Sequence, residues 1–167
     1  MLNSDKNMHT LSVYVANRPG ALARIAQVFS RRGFNIESLV VSPAVDGHFS
    51  RMTISCSGAI DGLDQIIKQV SKLIDVLHCI DHTYDESVMK EMGLIKIAVK
   101  SDGRSEALQI AEHYGCKTVD LTPESMILQV VGSPDKIDAL EEMLAKFRII
   151  ELVRTGKVVM SRGHEMT

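Results

Sequence analysis

Apolar residues in this chain change their period in a fixed order, and that order runs through twice. His9 to Val15 (HTLSVYV) alternates, with Leu11, Val13 and Val15 on one face, the period of a half-buried strand. The period then lengthens. Leu22, Ile25, Ala26 and Phe29 fall at i, i+3, i+4 and i+7, which predicts an amphipathic helix stopped near Gly33. Phe34 to Ala44 is rich in β-branched and apolar residues, and Asp46-Gly47 is a hairpin signal before the alternating HFSRMTISCSG. Leu63, Ile66, Ile67 and Val70 repeat the helical offsets, and Asp75 to Tyr84 supplies a last strand. After the polar stretch DESVMKEMG the series starts again. LIKIAVK reads as strand, and Ala107, Ile110, Ala111 and Tyr114 as a helical stripe. CKTVDL and SMILQVV form a hairpin around Thr122-Pro123. Ser133-Pro134 opens a helix lined by Ile137, Leu140, Leu144 and Phe147, and RIIELVRTGKVVMS closes the chain as strand.

Two such series predict an α+β chain of two ferredoxin-like βαββαβ domains, residues 1–85 and 86–167. Each pairs a four-stranded antiparallel sheet with two helices on one face. A unit of about 75–85 residues is near the size at which one core is marginal. Its other sheet face is left uncovered, so dimerisation or domain docking is expected.

A hydrophobic content of 45% and the lack of a long polar tract exclude a disordered chain. No stretch approaches the roughly 18 apolar residues of a membrane span. The polar start MLNSDKN lacks the layout of a signal peptide, so a cytoplasmic location is expected. Cys56, Cys79 and Cys116 are widely spaced and form no C-x-x-C pair, which reads as three small core residues. His78 and His82 have the spacing of two ligands on a helical turn, yet they fall in a strand-like run. A structural or surface role is expected, and no metal site.

The joint between the first strand and the first helix carries the functional signal. In NRPGAL (17–22), Pro19 suits a first helical turn, and Gly20 lets another molecule approach the backbone. Free N–H groups from about Gly20 to Leu22, with the positive end of the helix dipole, form an anion site needing no basic side chain. Asn17 adds an amide that both donates and accepts.

The string NRPGALARIAQVFSRRGFNIESLVVSP, followed by SRMTI, resembles the opening ACT domain of the acetolactate synthase (acetohydroxyacid synthase) small regulatory subunits. The resemblance continues through the polar His82 to Ser87, the strand GLIKIAV and the closing RTGKVVMSRG. It implies a non-catalytic regulatory subunit that activates a separate catalytic large subunit and confers inhibition by a branched-chain amino acid, commonly valine. Thiamine diphosphate, Mg and FAD would belong to that partner, with no cofactor on this chain. It also implies a homodimer whose ACT sheets join edge to edge. The amino acid would lie between Asn17, Gly20, Ala21 and Leu22 of one chain and Asn35 and Ile36 of its neighbour. The second half would support the dimer and contact the catalytic subunit.

Those residue types suit a zwitterion. The carboxylate takes the N–H groups, the Asn35 or Asn17 oxygens receive the ammonium, and Ile36 or Leu22 faces the aliphatic part. A metabolite sensor works in the micromolar to millimolar range, about -8 to -4 kcal/mol, which a shallow interfacial site supplies. One methylene separates valine from leucine or isoleucine and is worth only about 1–3 kcal/mol, so the motif does not choose among them.

Other classes fit poorly. Arg31-Arg32 and Arg148, Arg154, Lys157 and Arg162 are interspersed with acids in a chain of formal charge -2, and read as a solvated face. Aromatic residues total 4%, too few for the stacking platform of an RNA-binding sheet. Ser38, Ser50 and Ser55 have no evident His-Asp companions, and Glu37 with Asp46 reads as a polar strand edge and turn.

Overall fold

A computed structural model describes residues 7–167; the polar start read above, up to Lys6, lies outside them. The order of elements is β1 (Met8–Ala16), α1 (Ala21–Arg31), β2 (Asn35–Pro43), β3 (Phe49–Ser57), α2 (Ile60–Ser71) and β4 (Val76–Asp81). It continues with β5 (Val88–Ala98), α3 (Ser101–His113), β6 (Lys117–Leu121), β7 (Ser125–Gly132), α4 (Pro134–Leu144), β8 (Arg148–Arg154) and β9 (Val158–Met160). Two βαββαβ series are present, as the periodicity requires, in an α+β fold.

The chain divides into two compact units, one running through Val88 and taking in Lys157–Thr167, the other Met89–Gly156. These divisions differ from the cut at 85/86 drawn from the polar linker. Part of that linker, Val88 to Gly93, is β5. The expected closing strand is broken into β8 and β9 by Thr155 to Lys157, with Gly156 at φ 87, a left-handed backbone that glycine adopts without a β-carbon clash.

In the first unit the sheet order is β2-β3-β1-β4, so β2 and β4 are its edges. Leu11, Val13 and Val15 lie opposite Ile54, Met52 and Ser50 of β3. They pack with Ile25, Val28 and Phe29 of α1 and Leu63, Ile66 and Val70 of α2 in one core. Each of these large side chains, once buried, contributes about 1.5–3 kcal/mol. The buried stripe of α1 is Ala21, Ile25, Val28 and Phe29, not the set beginning at Leu22, which is exposed. On the face of this sheet turned from the helices, for which a covering partner was expected, Thr10, Ser12, Thr53 and Ser55 are buried. Residues 157–167 belong to this unit, and Arg51 on that face donates to the backbone carbonyl of Thr167.

The second unit has the order β6-β7-β5-β8. Ile95, Ile97, Met126, Leu128 and Val130 meet Ala107, Ile110, Ile137, Leu140 and Leu144 in its own core. Ser133 caps α4 as expected, its side chain accepting from the Lys136 N–H, with Pro134 in the first turn. Arg154 is not part of a solvated basic face. It donates from Nε and Nη2 to both oxygens of the buried Glu91, at 2.8 and 2.9 Å, and from Nη1 to Asp138 of α4. Those bonds outweigh burial and push the guanidinium pKa upward.

Candidate functional site

At the end of β1 the main chain is pinned from two sides. The Ala16 N–H donates to the Asp75 carbonyl at 2.7 Å and the Asn17 N–H to the His48 carbonyl at 2.9 Å. The Asn17 side chain reaches the same β2–β3 turn, Nδ2 donating to the Gly47 carbonyl at 3.1 Å. Its Oδ1 therefore keeps its acceptor capacity. Asn17 acts as a post between the β1–α1 joint and the hairpin.

The helix begins later than the sequence suggested, at Ala21, two residues past Pro19. Pro19 sits in the preceding turn rather than in the first helical turn, and Gly20 is the N-cap at φ 83, ψ -9. Only glycine takes that left-handed geometry without strain, so here Gly20 is a conformational requirement as well as an opening. No side chain caps α1. The Ala21 N–H is used, donating to the Arg18 carbonyl at 3.3 Å, and the helical ladder starts with Arg24 N–H to Gly20 O at 3.1 Å. Among the described residues, the N–H groups of Gly20, Leu22 and Ala23 have no acceptor. Three donors thus open at the positive end of the α1 dipole. Leu22 lies beside them, exposed and apolar.

Asn35 and Ile36 stand elsewhere in the same chain. Asn35 opposes Ser57, at the end of β3 that pairs with Met8, whereas Ala16 opposes Phe49 at the other end. At roughly 3.3 Å per residue the two places are about 26 Å apart. One chain does not bring them together. The Asn35 side chain is exposed and donates from Nδ2 to Glu37 at 2.8 Å, and Glu37 also accepts from Ser57 Oγ at 2.5 Å. Ile36 is half-buried against the chain's own core, which leaves Leu22 as the more open of the two aliphatic candidates.

Two participants escaped the sequence reading. Arg24, one turn into α1, forms an ion pair with Asp75. Its guanidinium crosses Gly20: a β-carbon placed there would stand 3.0 Å from Arg24 Nη1. The i, i+4 spacing of Gly20 and Arg24 is the signal that could have found it.

A second polar cluster has the order of an acyl-transfer triad. His82 Nε2 lies 2.8 Å from Ser12 Oγ, while its Nδ1 meets Asp85 and, at 3.0 Å, Ser87 Oγ. Ser12, on the inner strand β1, and His82, just past β4, are only 2% and 1% exposed, so no substrate carbonyl reaches the hydroxyl. Burial alone would raise the Asp85 carboxyl, but the bonds from Ser87 and His82 hold it below the usual range. The cluster fastens the segment after β4 to the sheet. His78 stacks on Tyr14 at 5.3 Å, and burial, then the neighbouring Arg51, lowers its pKa. Cys56 and Cys79 are pushed up to about 11 and about 12, chiefly by burial, so both stay protonated, inert thiols near neutral pH. Among the described residues no group of three or more His, Cys, Asp or Glu is arranged to hold a metal, and no helix is long and apolar enough to cross a membrane.

Two family models match the chain, one in each half. Residues 11–78 match the family model for the AHAS small subunit-like ACT domain, and residues 90–163 that for the small subunit of acetolactate synthase. The acetolactate synthase small subunit of Mycolicibacterium smegmatis is 41% identical over 155 residues, 93% of this chain and 91% of that one. The probable acetolactate synthase small subunit of Archaeoglobus fulgidus is 40% identical over 157 residues, 94% of this chain and 98% of the relative. Among solved structures, the acetolactate synthase small subunit of Thermotoga maritima superposes with a TM-score of 0.83 at 32% identity, covering 95% of this chain and 99% of that one.

Proposed function

Since the chain belongs to the family of acetolactate synthase small subunits, we propose that it is the regulatory subunit of such an enzyme, sensing a branched-chain amino acid at the opening of α1. The observation that carries this reading is the set of unpartnered N–H groups on Gly20, Leu22 and Ala23. A free carboxylate matches them, and the Asn17 carbonyl oxygen beside them matches an ammonium. Leu22 supplies apolar surface for an aliphatic side chain.

The remaining contacts come from a second copy. Among the described residues β2 is a sheet edge that pairs only with β3, and none of its own residues is buried. Two such edges pairing antiparallel across a two-fold axis would set the start of one β2 beside the end of the other. Asn35 and Ile36 of the neighbour then approach Pro43 and the turn that Asn17 grips. The distance that separates the two motifs within one chain is what a two-fold pair removes.

Valine or another branched-chain amino acid is the ligand we assign, and inhibition follows when it favours the dimer arrangement that leaves the catalytic subunit less active, a coupling typically of about 1–3 kcal/mol. The chain does no chemistry itself. Thiamine diphosphate, Mg and FAD are placed on the catalytic partner, and the assembly in the cytoplasm. Contact with the large subunit falls to the second unit, where Leu94, Ile127 and Val153 line an open depression beside the Lys96–Glu151 pair.

An inhibition assay of the complex reconstituted with its catalytic subunit tests the site. Gly20→Asp puts a carboxylate where the ligand's own must lie, against Arg24 and on a left-handed backbone. Valine concentrations that inhibit the unmodified complex are expected to leave the variant complex uninhibited. Normal valine inhibition of the variant would overturn the assignment.

A further inference from the structure

Resting on that reading, we infer that Arg24, aimed by Asp75, is a specificity-determining residue of the amino-acid site and supplies the positive charge that selects a free carboxylate. Arg24 Nη2 is committed to Asp75, whereas Nη1 and Nε have no acceptor among the described residues. The Nη1 end overlies Gly20, whose N–H is also unpartnered. An anion held by the opening N–H groups therefore sits beside a guanidinium with donors to spare. Asp75 is itself fixed, with a side chain 9% exposed and a carbonyl bound by Ala16 at 2.7 Å. It ties the guanidinium to the end of β1 and sets its direction.

The second unit supplies an independent control. Counted from the glycines that follow the two helices, Gly33 and Gly115, the residue of α3 that matches Arg24 is Glu106. Glu106 is also in an ion pair, with Lys146 just before β8, as Asp75 lies just before β4. The clamp is kept and its polarity is reversed. At α3 a ligand carboxylate would meet the Glu106 carboxylate and a second one, Asp102, whose Oδ1 already accepts from the Gly103 N–H at 3.1 Å. A purely mechanical brace works in either polarity; attraction of an anion requires the one found in the first unit.

Calorimetric titration of the full chain with valine and with valinamide tests the assignment. The unmodified protein is expected to prefer valine. In Arg24→Gln the valine affinity should fall about tenfold or more while valinamide changes little, so the preference narrows. The double variant Arg24→Asp/Asp75→Arg restores a pair of opposite polarity; it is expected to melt near the unmodified protein and still to bind valine more weakly than Arg24→Gln does. An unchanged valine-to-valinamide preference in Arg24→Gln overturns the inference even if the double variant fails to fold. Valine binding by the folded double variant at the original affinity overturns it as well. Absence of valine, leucine and isoleucine binding to the unmodified chain would instead remove the site reading on which it rests.

Discussion

Counted back from the glycines that stop them, α1 and α3 start in different ways although the two units share one topology. At α1 the chain enters through Gly20 in a left-handed conformation, and Gly20, Leu22 and Ala23 keep their N–H groups unpartnered. At α3 the helix begins at Ser101, the place matching Pro19, after an extended Lys100; the Gly103 N–H reaches the Lys100 carbonyl as the matching Ala21 N–H reaches Arg18, and at α3 the Asp102 carboxylate accepts from it as well. Leu22 is replaced by Arg104, which donates to the Thr122 carbonyl at 2.6 Å and so braces its own hairpin. The repeat of hydrophobic period builds two similar cores, because packing tolerates many sequences of the right pattern. The backbone geometry of the helix entry does not repeat with it.

The contrast extends below the surface and can be broken by substitution. Glu91 of β5 occupies the place that His9 has in β1, and both are buried. His9 lies against Phe34, with ring centroids 6.1 Å apart, whereas Glu91 depends on Arg154. Arg154→Ala should therefore destabilise the second unit by about 3–5 kcal/mol in urea unfolding, by stranding a buried carboxylate. A loss below about 1 kcal/mol would show that water serves Glu91 as well as the guanidinium does.

Alkali should strike the first unit harder. The folded thiols of Cys56 and Cys79 titrate at about 11 and about 12, against an ordinary 9.0. Below pH 9 both states hold the proton and nothing is lost; above it the unfolded thiols ionise while the folded ones do not, so stability falls. Each thiol costs about 1.4 kcal/mol per pH unit in that window, or about 2–3 kcal/mol for the pair between pH 8 and 10. Chemical unfolding at the two pH values, with Cys79→Ala halving the slope, measures it. A flat response would mean that both thiols reach water.

The smallest effect lies at the joint itself. Gly20→Ala should cost about 1–2 kcal/mol, from φ 83 and from a β-carbon 3.0 Å from Arg24 Nη1. Asp102→Ala, at the matching place on α3, should stay within about 0.5 kcal/mol. Equal costs in thermal unfolding would erase the distinction between the two helix starts.

Strands and helices were legible because period survives local irregularity: Leu11, Val13 and Val15 announce β1, and Ile137, Leu140 and Leu144 announce α4. Polarity misled where burial is set by distant partners. DESVMKEMG read as linker because its acids look solvated, yet Glu91 is a strand residue held by Arg154 from far along the chain. At the joint, Gly20 and Asn17 were legible from local turn chemistry. Arg24 was not, since its meaning depends on Asp75, which the fold brings across from another element.

In the proposed regulatory subunit an amino acid is held at the first joint and not at the second. A crystal structure of the full chain grown with valine measures this directly. It is expected to show the ligand carboxylate on the N–H groups of Gly20, Leu22 and Ala23, with Asn35 of a second copy closing the site and nothing at Ser101 to Arg104. Valine bound at the opening of α3, or an unoccupied α1 opening at saturating ligand, would contradict it.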